Sequence, residues 1–249
     1  MTVLITGHKG FIGQNMMAAL PGAVGYEWGD GPVSLEGIDQ VIHLGAISST
    51  VCDDWNKLCE QNIYFSNDLL YRCEDRKIPF QFASSASGYG PNAKTFRESD
   101  VLNAQSLYAQ SKLAVEHLIL SRNWSMPVQS FRYFNVYGAH EDHKDQPSPH
   151  TRFRRQAAAT GKIEVFEGSE EIYRDFVPVE RVAEVHKRFF DLGVSGVYNL
   201  GTGKAQSFMD VARTVARETG AKIVEIPMPH LPSYQRYTQA DMTKTHALL

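Results

Sequence analysis

The strongest constraint on what this chain can fold into lies at its start. Residues 2–7, Thr-Val-Leu-Ile-Thr-Gly, form a short β-branched and apolar run that reads as a buried strand. It leads directly into Gly-His-Lys-Gly-Phe-Ile-Gly (7–13), and residues 11–20 then have helical composition. Strand, glycine-rich turn and helix, in that order, form the context that a dinucleotide fingerprint requires. Gly7 permits the tight turn, Gly10 lets the backbone approach a pyrophosphate, and Gly13 lets helix and strand pack closely. The free N–H groups of the helix start then face the phosphates.

A second strand ending in an acid should follow, to grip an adenosine ribose. The acids available are Glu27 and Asp30, and the segment is short, so the adenosine end of the pocket is expected to be abbreviated. No Lys or Arg occurs from 21 to 40 to meet a 2′-phosphate, although Lys9 in the glycine turn could supply that charge. The choice between NAD and NADP stays open on these residues.

Further strands alternate with helices. Residues 39–48 read as a buried strand whose Gly45 and Ala46 let a cofactor lie across its C-terminal edge, with His43 as a core histidine. Residues 62–76 read as an amphipathic helix with Ile63, Leu69, Leu70 and Cys73 inward and Asn62 at its start, bonding either backbone or cofactor. Residues 79–90 read as a strand running into Ser84, Ser85 and Ser87. The expected fold class is α/β, a Rossmann-like doubly wound parallel sheet with a small C-terminal substrate-binding lobe. The chain has 249 residues and is 43% hydrophobic, enough for such a domain and its lobe. Its net charge of -3 argues against nucleic-acid binding, so an anionic ligand must be held by local Arg and Lys. Cys52, Cys59 and Cys73 have no metal-ligand spacing and read as reduced thiols, and no metal is expected. No charged signal-peptide start and no membrane-length apolar run occur, so a cytoplasmic location without a membrane partner is expected.

The helical stretch 106–121 places Tyr108 and Lys112 at i and i+4, on one face. A free tyrosine titrates near ~10, too high for a base at neutral pH. A nearby ammonium and a bound nicotinamide cation would lower it toward the working range. Ser85 is placed to bridge Tyr108 and a substrate oxygen. The Tyr-x-x-x-Lys spacing alone is weak, because it occurs by chance on many helices. With the glycine turn upstream and the serine-rich strand end between them, it becomes specific.

Together these residues resemble the short-chain dehydrogenase/reductase superfamily, from residue 2 to about 245. Later motifs at 131–138, 165–177, 196–208 and 234–243 look like its extended branch, which acts on nucleotide sugars. Within that branch they most resemble the ADP-glycero-manno-heptose 6-epimerases. The resemblance implies one tightly bound NADP or NAD per subunit, which takes hydride from the inverting carbon and returns it to the other face. Two proton carriers are implied, Tyr108 and Lys144, with Lys112 bonding the nicotinamide ribose and Ser85 orienting the sugar oxygen. Cofactor contacts fall on Gly10, Phe11, Ile12, Leu44, Gly45, Ala46, Ile47, Ser48 and Val136, to which the residue reading adds Gly7, Lys9, Gly13, Asn62 and Ser84. Implied substrate contacts are Ser85, Asn135, Phe166, Glu167, Gly168, Ser169, Arg174 and Tyr234. Arg174 also makes independent sense, because a diphosphate needs a planar, always-charged donor; its alternative is a surface ion pair with Glu170 or Glu171.

The expected division is a dinucleotide-binding domain at 1–134, rejoined at 179–201, and a substrate lobe from 135–178 and 202–249. The segment 145–156 departs from the family's helix after the second catalytic lysine, and the chain ends short of a final helix the family usually has. A nucleotide-sugar 4-epimerase or reductase shares nearly every motif, and a non-catalytic dinucleotide sensor is the alternative outside enzymes. By analogy with the superfamily, helices at 57–76 and 106–122 would form the interface of a homo-oligomer, a dimer or larger.

Overall fold

The computed structural model describes residues 1–92, 94–141, 144, 146–229 and 235–249. Its centre is a six-stranded sheet. β1 (Val3–Thr6) leads through the glycine turn into α1 (Phe11–Ala19) and then β2 (Val24–Tyr26), a three-residue strand at the sheet edge. No helix separates β2 from β3 (Gln40–His43); the loop between them instead buries Val33 and Leu35. The abbreviated second unit is therefore present as expected.

After β3 the chain is helical from α2 (Trp55–Leu58) through a π-helical run, Cys59–Tyr64, into α3 (Phe65–Arg76). The π-helical run has a consequence for burial. A wider turn rotates the side chains that follow it, so Asn62 and Ser66 face inward while Ile63, expected in the core, is only partly buried. Leu69, Leu70 and Cys73 are buried, as their spacing predicts.

β4 (Phe80–Ser85), β5 (Lys94–Phe96), α4 (Leu107–Leu120), β6 (Val128–Tyr133) and β7 (Asn135–Tyr137) come next. Then follow α5 (Pro149–Thr160), β8 (Lys162–Phe166), β9 (Tyr173–Pro178), α6 (Val179–Phe190) and β10 (Gly196–Leu200). The large sheet has the order β10-β6-β4-β3-β1-β2, and every pairing in it is parallel. β1, β3 and β6 are buried at every position, the pattern of strands covered on both faces. Successive residues of β1 show why: Val3 and Ile5 pack with Met16 of α1 and with Val182 and Phe189 of α6, while Leu4 packs with Leu69 and Leu70 of α3 and Val115 of α4.

The chain closes with β11 (Ala205–Ser207), α7 (Phe208–Thr219), β12 (Lys222–Ile226), β13 (Thr238–Ala240) and α8 (Thr243–His246). These elements complete three small sheets, ordered β11-β9-β7, β12-β8 and β13-β5. A separate apolar cluster joins Phe153 and Ala157 of α5, Ile163 and Val165 of β8, Phe176 of β9 and Val211 and Val215 of α7. No helix among the described residues is long and apolar enough to cross a membrane.

Candidate active site

Strand order reverses between β1 and β3, and in an open parallel sheet the crevice beyond the strand ends at such a point is where a ligand lies. Here the turns after β1 and β3 approach as closely as backbone allows. Gly7 has φ +69°, and a Cβ on it would sit 2.7 Å from the Cα of Gly45. A Cβ on Gly13 would sit 2.1 Å from the carbonyl oxygen of Gly7, which is how α1 comes to rest directly on the turn. Gly10 is the cap residue of α1, and no side chain satisfies the first N–H groups of the helix there. Phe11 is buried and Ile12 partly buried beneath this turn.

A crevice of about 90 Å³ opens beside the reversal, lined by Gly7, Tyr26, Glu27, Trp28, Gly45, Ala46, Ile47, Gln61 and Phe65 among others. Phe65 stacks on Tyr26 at 5.6 Å and meets Trp28 edge-on at 5.4 Å. Glu27 follows β2 directly, about 20 residues after Gly7, the place where a ribose-binding acid belongs. Its carboxylate accepts from the Lys9 N–H at 3.1 Å and lies 3.9 Å from His8 Nδ1. The Lys9 ammonium is 3.6 Å from Asp30. Trp28, Gln61 and Phe65 carried no signal in the sequence; they reach the crevice only because the chain folds back.

Asn62 is fully buried and committed within the protein. Its amide accepts from the Ile47 N–H at 2.8 Å and donates to the Ile47 carbonyl at 3.1 Å and to Ser111 Oγ at 2.9 Å. It braces the loop carrying Leu44, Gly45, Ala46, Ile47 and Ser48 against α4, so its bearing on a cofactor runs through that loop. His43 is a core residue, held between Thr6 Oγ1 at 2.6 Å and Ser66 Oγ at 2.7 Å.

At the end of β4, Ser85 Oγ accepts from the hydroxyl and the N–H of Ser87 at 2.9 and 3.2 Å. The buried Ser84 hydroxyl beside it has no partner among the described residues. α4 begins at a Ser106 cap that accepts from the Ala109 N–H at 3.1 Å, which places Tyr108 in the first helical turn. Tyr108 is partly buried, its phenol near enough to Ser85 for that hydroxyl to act on its ionisation. The Ser85 hydroxyl and the Tyr108 phenol therefore come together at the end of β4, with Lys112 one turn further along α4.

The electrostatics differ from expectation. Desolvation raises the Tyr108 phenol above its ordinary value, and the Ser85 hydroxyl only opposes this. Lys112 is 4% exposed, and burial lowers it to about 7. Its ammonium lies 4.8 Å from the centre of the Phe82 ring. A lysine that is only part-charged near neutral pH cannot depress the phenol as a full cation would.

Lys144 is half-buried, 5.0 Å from the centre of the Phe11 ring and 3.7 Å from Glu141 Oε1. Glu141 is buried and also accepts from Ser148 and Thr151 at the start of α5. Asn135 begins β7, exposed, and Val136 follows it partly buried. Phe166 ends β8 partly buried, with the Arg152 guanidinium 5.8 Å from its centre; Glu167 is exposed, Gly168 has φ +77° and Ser169 is buried. Arg174 is 8% exposed and donates to the carbonyls of Tyr173 and Gln235 at 2.8 and 2.5 Å. Glu171 is paired with Arg236, at 3.2 Å. Tyr234 lies outside the described residues.

The profile of the NAD dependent epimerase/dehydratase family matches residues 32–201, most of the chain. The chain belongs to that family. Solved structures agree on the fold. One is Helicobacter pylori ADP-L-glycero-D-manno-heptose-6-epimerase, 24% identical with a TM-score of 0.86 over 99% of this chain and 89% of that one. A Methanobrevibacter ruminantium UDP-N-acetylglucosamine 4-epimerase is 21% identical, with a TM-score of 0.87 over 99% and 91%. The Thermus thermophilus UDP-glucose 4-epimerase, in complex with NAD, is 25% identical with a TM-score of 0.81 over 99% and 92%.

Proposed function

We propose that this family member is a nucleotide-sugar epimerase that works by transient oxidation and re-reduction around a tightly held nicotinamide dinucleotide. The observation that carries the reading is the Tyr108 phenol beside the Ser85 hydroxyl, with Lys112 one turn on, at the strand ends next to the Gly7–Gly45 approach. The close-packed glycines, the uncapped start of α1 and the unpartnered Ser84 hydroxyl all suit such a cofactor. NAD is favoured over NADP, because a 2′-phosphate would meet Glu27 and Asp30 while Lys9 is already paired. When bound, the nicotinamide accepts a hydride and returns it.

The residues of the chain supply the rest. Tyr108 takes the proton of the reacting hydroxyl, with Ser85 holding that oxygen in line. Lys112 bonds the nicotinamide ribose; the lowering of the phenol, which desolvation raises, would fall to the charge of the bound cofactor. Lys144 is the second proton carrier, on the Phe11 side, with Glu141 beneath it. Asn135, Phe166, Glu167, Gly168, Ser169, Arg174 and Tyr234 are assigned to the nucleotide sugar, in a lobe made of 135–178 and 202–249. ADP-heptose inverted at C6 is the first substrate to test. The two 4-epimerases of the same fold support a 4-epimerase as the second reading. A homo-oligomer is proposed to form through the outer faces of the helices at 55–76 and 107–120, where Tyr64, Tyr71 and Leu120 are exposed.

The test is incubation of the purified protein with ADP-glycero-manno-heptose without added cofactor, reading the C6 configuration by NMR and identifying the released dinucleotide by mass. Epimerisation with NAD released is expected. Tyr108→Phe should lower turnover by about 100- to 10,000-fold while leaving cofactor content unchanged. Unchanged turnover in that variant would sink the mechanism.

A further inference from the structure

We propose that the buried Arg132–Glu116 ion pair is a positioning device that sets where α4 lies along the sheet and so holds Tyr108 against Ser85. The proposal rests on the roles given to Tyr108 and Ser85 above. Glu116 follows Tyr108 and Lys112 at the next i+4 step, so the three share one face of α4. Glu116 is 0% exposed and Arg132 2%. Arg132 donates to Glu116 Oε1 from Nε at 3.0 Å and from its terminal nitrogen at 2.5 Å, and Ser130 Oγ donates to Oε2 at 3.1 Å.

The guanidinium rises from the strand beside Ser85. β6 pairs with β4 so that Arg132 stands opposite Ser84 and Tyr133 opposite Ser85. Its other arm donates to Tyr89 Oη at 2.9 Å and to the Glu98 carbonyl at 3.1 Å. Tyr89 ends the 3-10 turn Ala86–Tyr89 that leaves Ser85, and its own hydroxyl donates to Asn199 at 2.6 Å. One planar side chain is thus bonded both to the helix that carries the phenol and to the turn that leaves the serine.

An apolar pair of the same volume could supply comparable stability at this position, since burying two charges costs desolvation. Apolar packing, however, lets a helix slide over a sheet. A bidentate fork fixes distance and direction together. The Tyr108–Ser85 contact is the geometry that such a fix protects.

The variant Arg132→Met with Glu116→Leu removes both charges and leaves no unpaired ion. The protein is expected to fold, to retain its cofactor and to keep its KM for the nucleotide sugar that the wild type turns over. Its kcat should fall about 100-fold, the scale of an ångström-sized misplacement, and its crystal structure should show the Tyr108 phenol displaced from Ser85 relative to the wild type's. Arg132→Lys keeps the charge without the fork and should fall between the two; it decides the matter if the double variant does not fold. Wild-type kcat with Tyr108 unmoved from Ser85, whatever the melting temperature, would overturn the proposal. If the wild type turns over no nucleotide sugar, the functional reading fails, while the Tyr108–Ser85 distance in the variant's crystal structure still decides whether the pair positions Tyr108.

Discussion

Single buried ionisable groups dominate the behaviour expected at the residue scale. Burial holds His43 and His186 at about 3 and His150 at about 4. A histidine lowered in this way binds fewer protons in the native state than in the unfolded chain. Its stability is fully present above the unfolded value of about 6.5 and is lost as pH falls toward the folded one. The melting temperature should therefore drop steadily on acidification from about pH 6.5. His150 is the position to test. Its ring stacks on Tyr137 at 3.8 Å, and its buried Nδ1 has no partner among the described residues. His150→Phe keeps the stack and removes the titration, so its melting temperature should fall less steeply between pH 6.5 and about 4. An unchanged slope would show that His150 does not contribute. Lys112, lowered to about 7 by burial, adds a rise in stability with pH above neutrality by the same linkage. These shifts could not be read from the sequence, because desolvation depends on what packs around a ring or an ammonium.

Among the elements, the contact between α1 and β1 through the glycine turn bears most on the site. Gly13→Ala would place a methyl 2.1 Å from the Gly7 carbonyl oxygen, backbone on both sides, so α1 must move as a unit. The expected cost is about 3 kcal/mol, the upper range of overpacking, together with loss of bound cofactor. Chemical denaturation and the dinucleotide content of the purified variant measure the two; a variant that keeps both would mean that the turn can relax. This element was legible from the sequence, since three glycines between a strand and a helix leave few alternatives. The helix around Asn62 was less so. Its apolar spacing predicts Ile63 inward, but the π-helical run turns Asn62 inward, where it holds the Ile47 peptide. Hydrophobic periodicity assumes a constant turn and cannot register one wider turn within a helix.

Over the whole molecule, one buried carboxylate ties several C-terminal segments to one another, beside the β13–β5 pairing and the bonds of Asn199 and Thr245. Asp175 on β9 accepts from the Thr202 N–H at 2.8 Å, the Thr202 hydroxyl at 2.6 Å, the Gly203 N–H at 2.9 Å and the Ala240 N–H at 3.1 Å. It joins the end of β10, the strand β9 and the β13–β5 pair, and it adjoins Arg174 in sequence. Asp175→Ala should raise hydrogen exchange at the amides of Thr202, Gly203 and Ala240 while the strands of the large sheet keep their protection. Equal loss of protection throughout would mean that the carboxylate supports the fold as a whole rather than this junction.

The sequence by itself determined the parallel sheet, the glycine turn, the tyrosine–lysine face of α4 and the serine strand end. Each of these is written in residues a few positions apart, and local spacing and backbone preference carry it. Tertiary structure alone decided that Glu27, Trp28 and Phe65 share a crevice with Gly45, that Asn62 braces a loop, and that Arg132 reaches both Glu116 and Tyr89. Those groups come from elements that lie far apart along the chain, and only packing across the sheet brings them within hydrogen-bonding range.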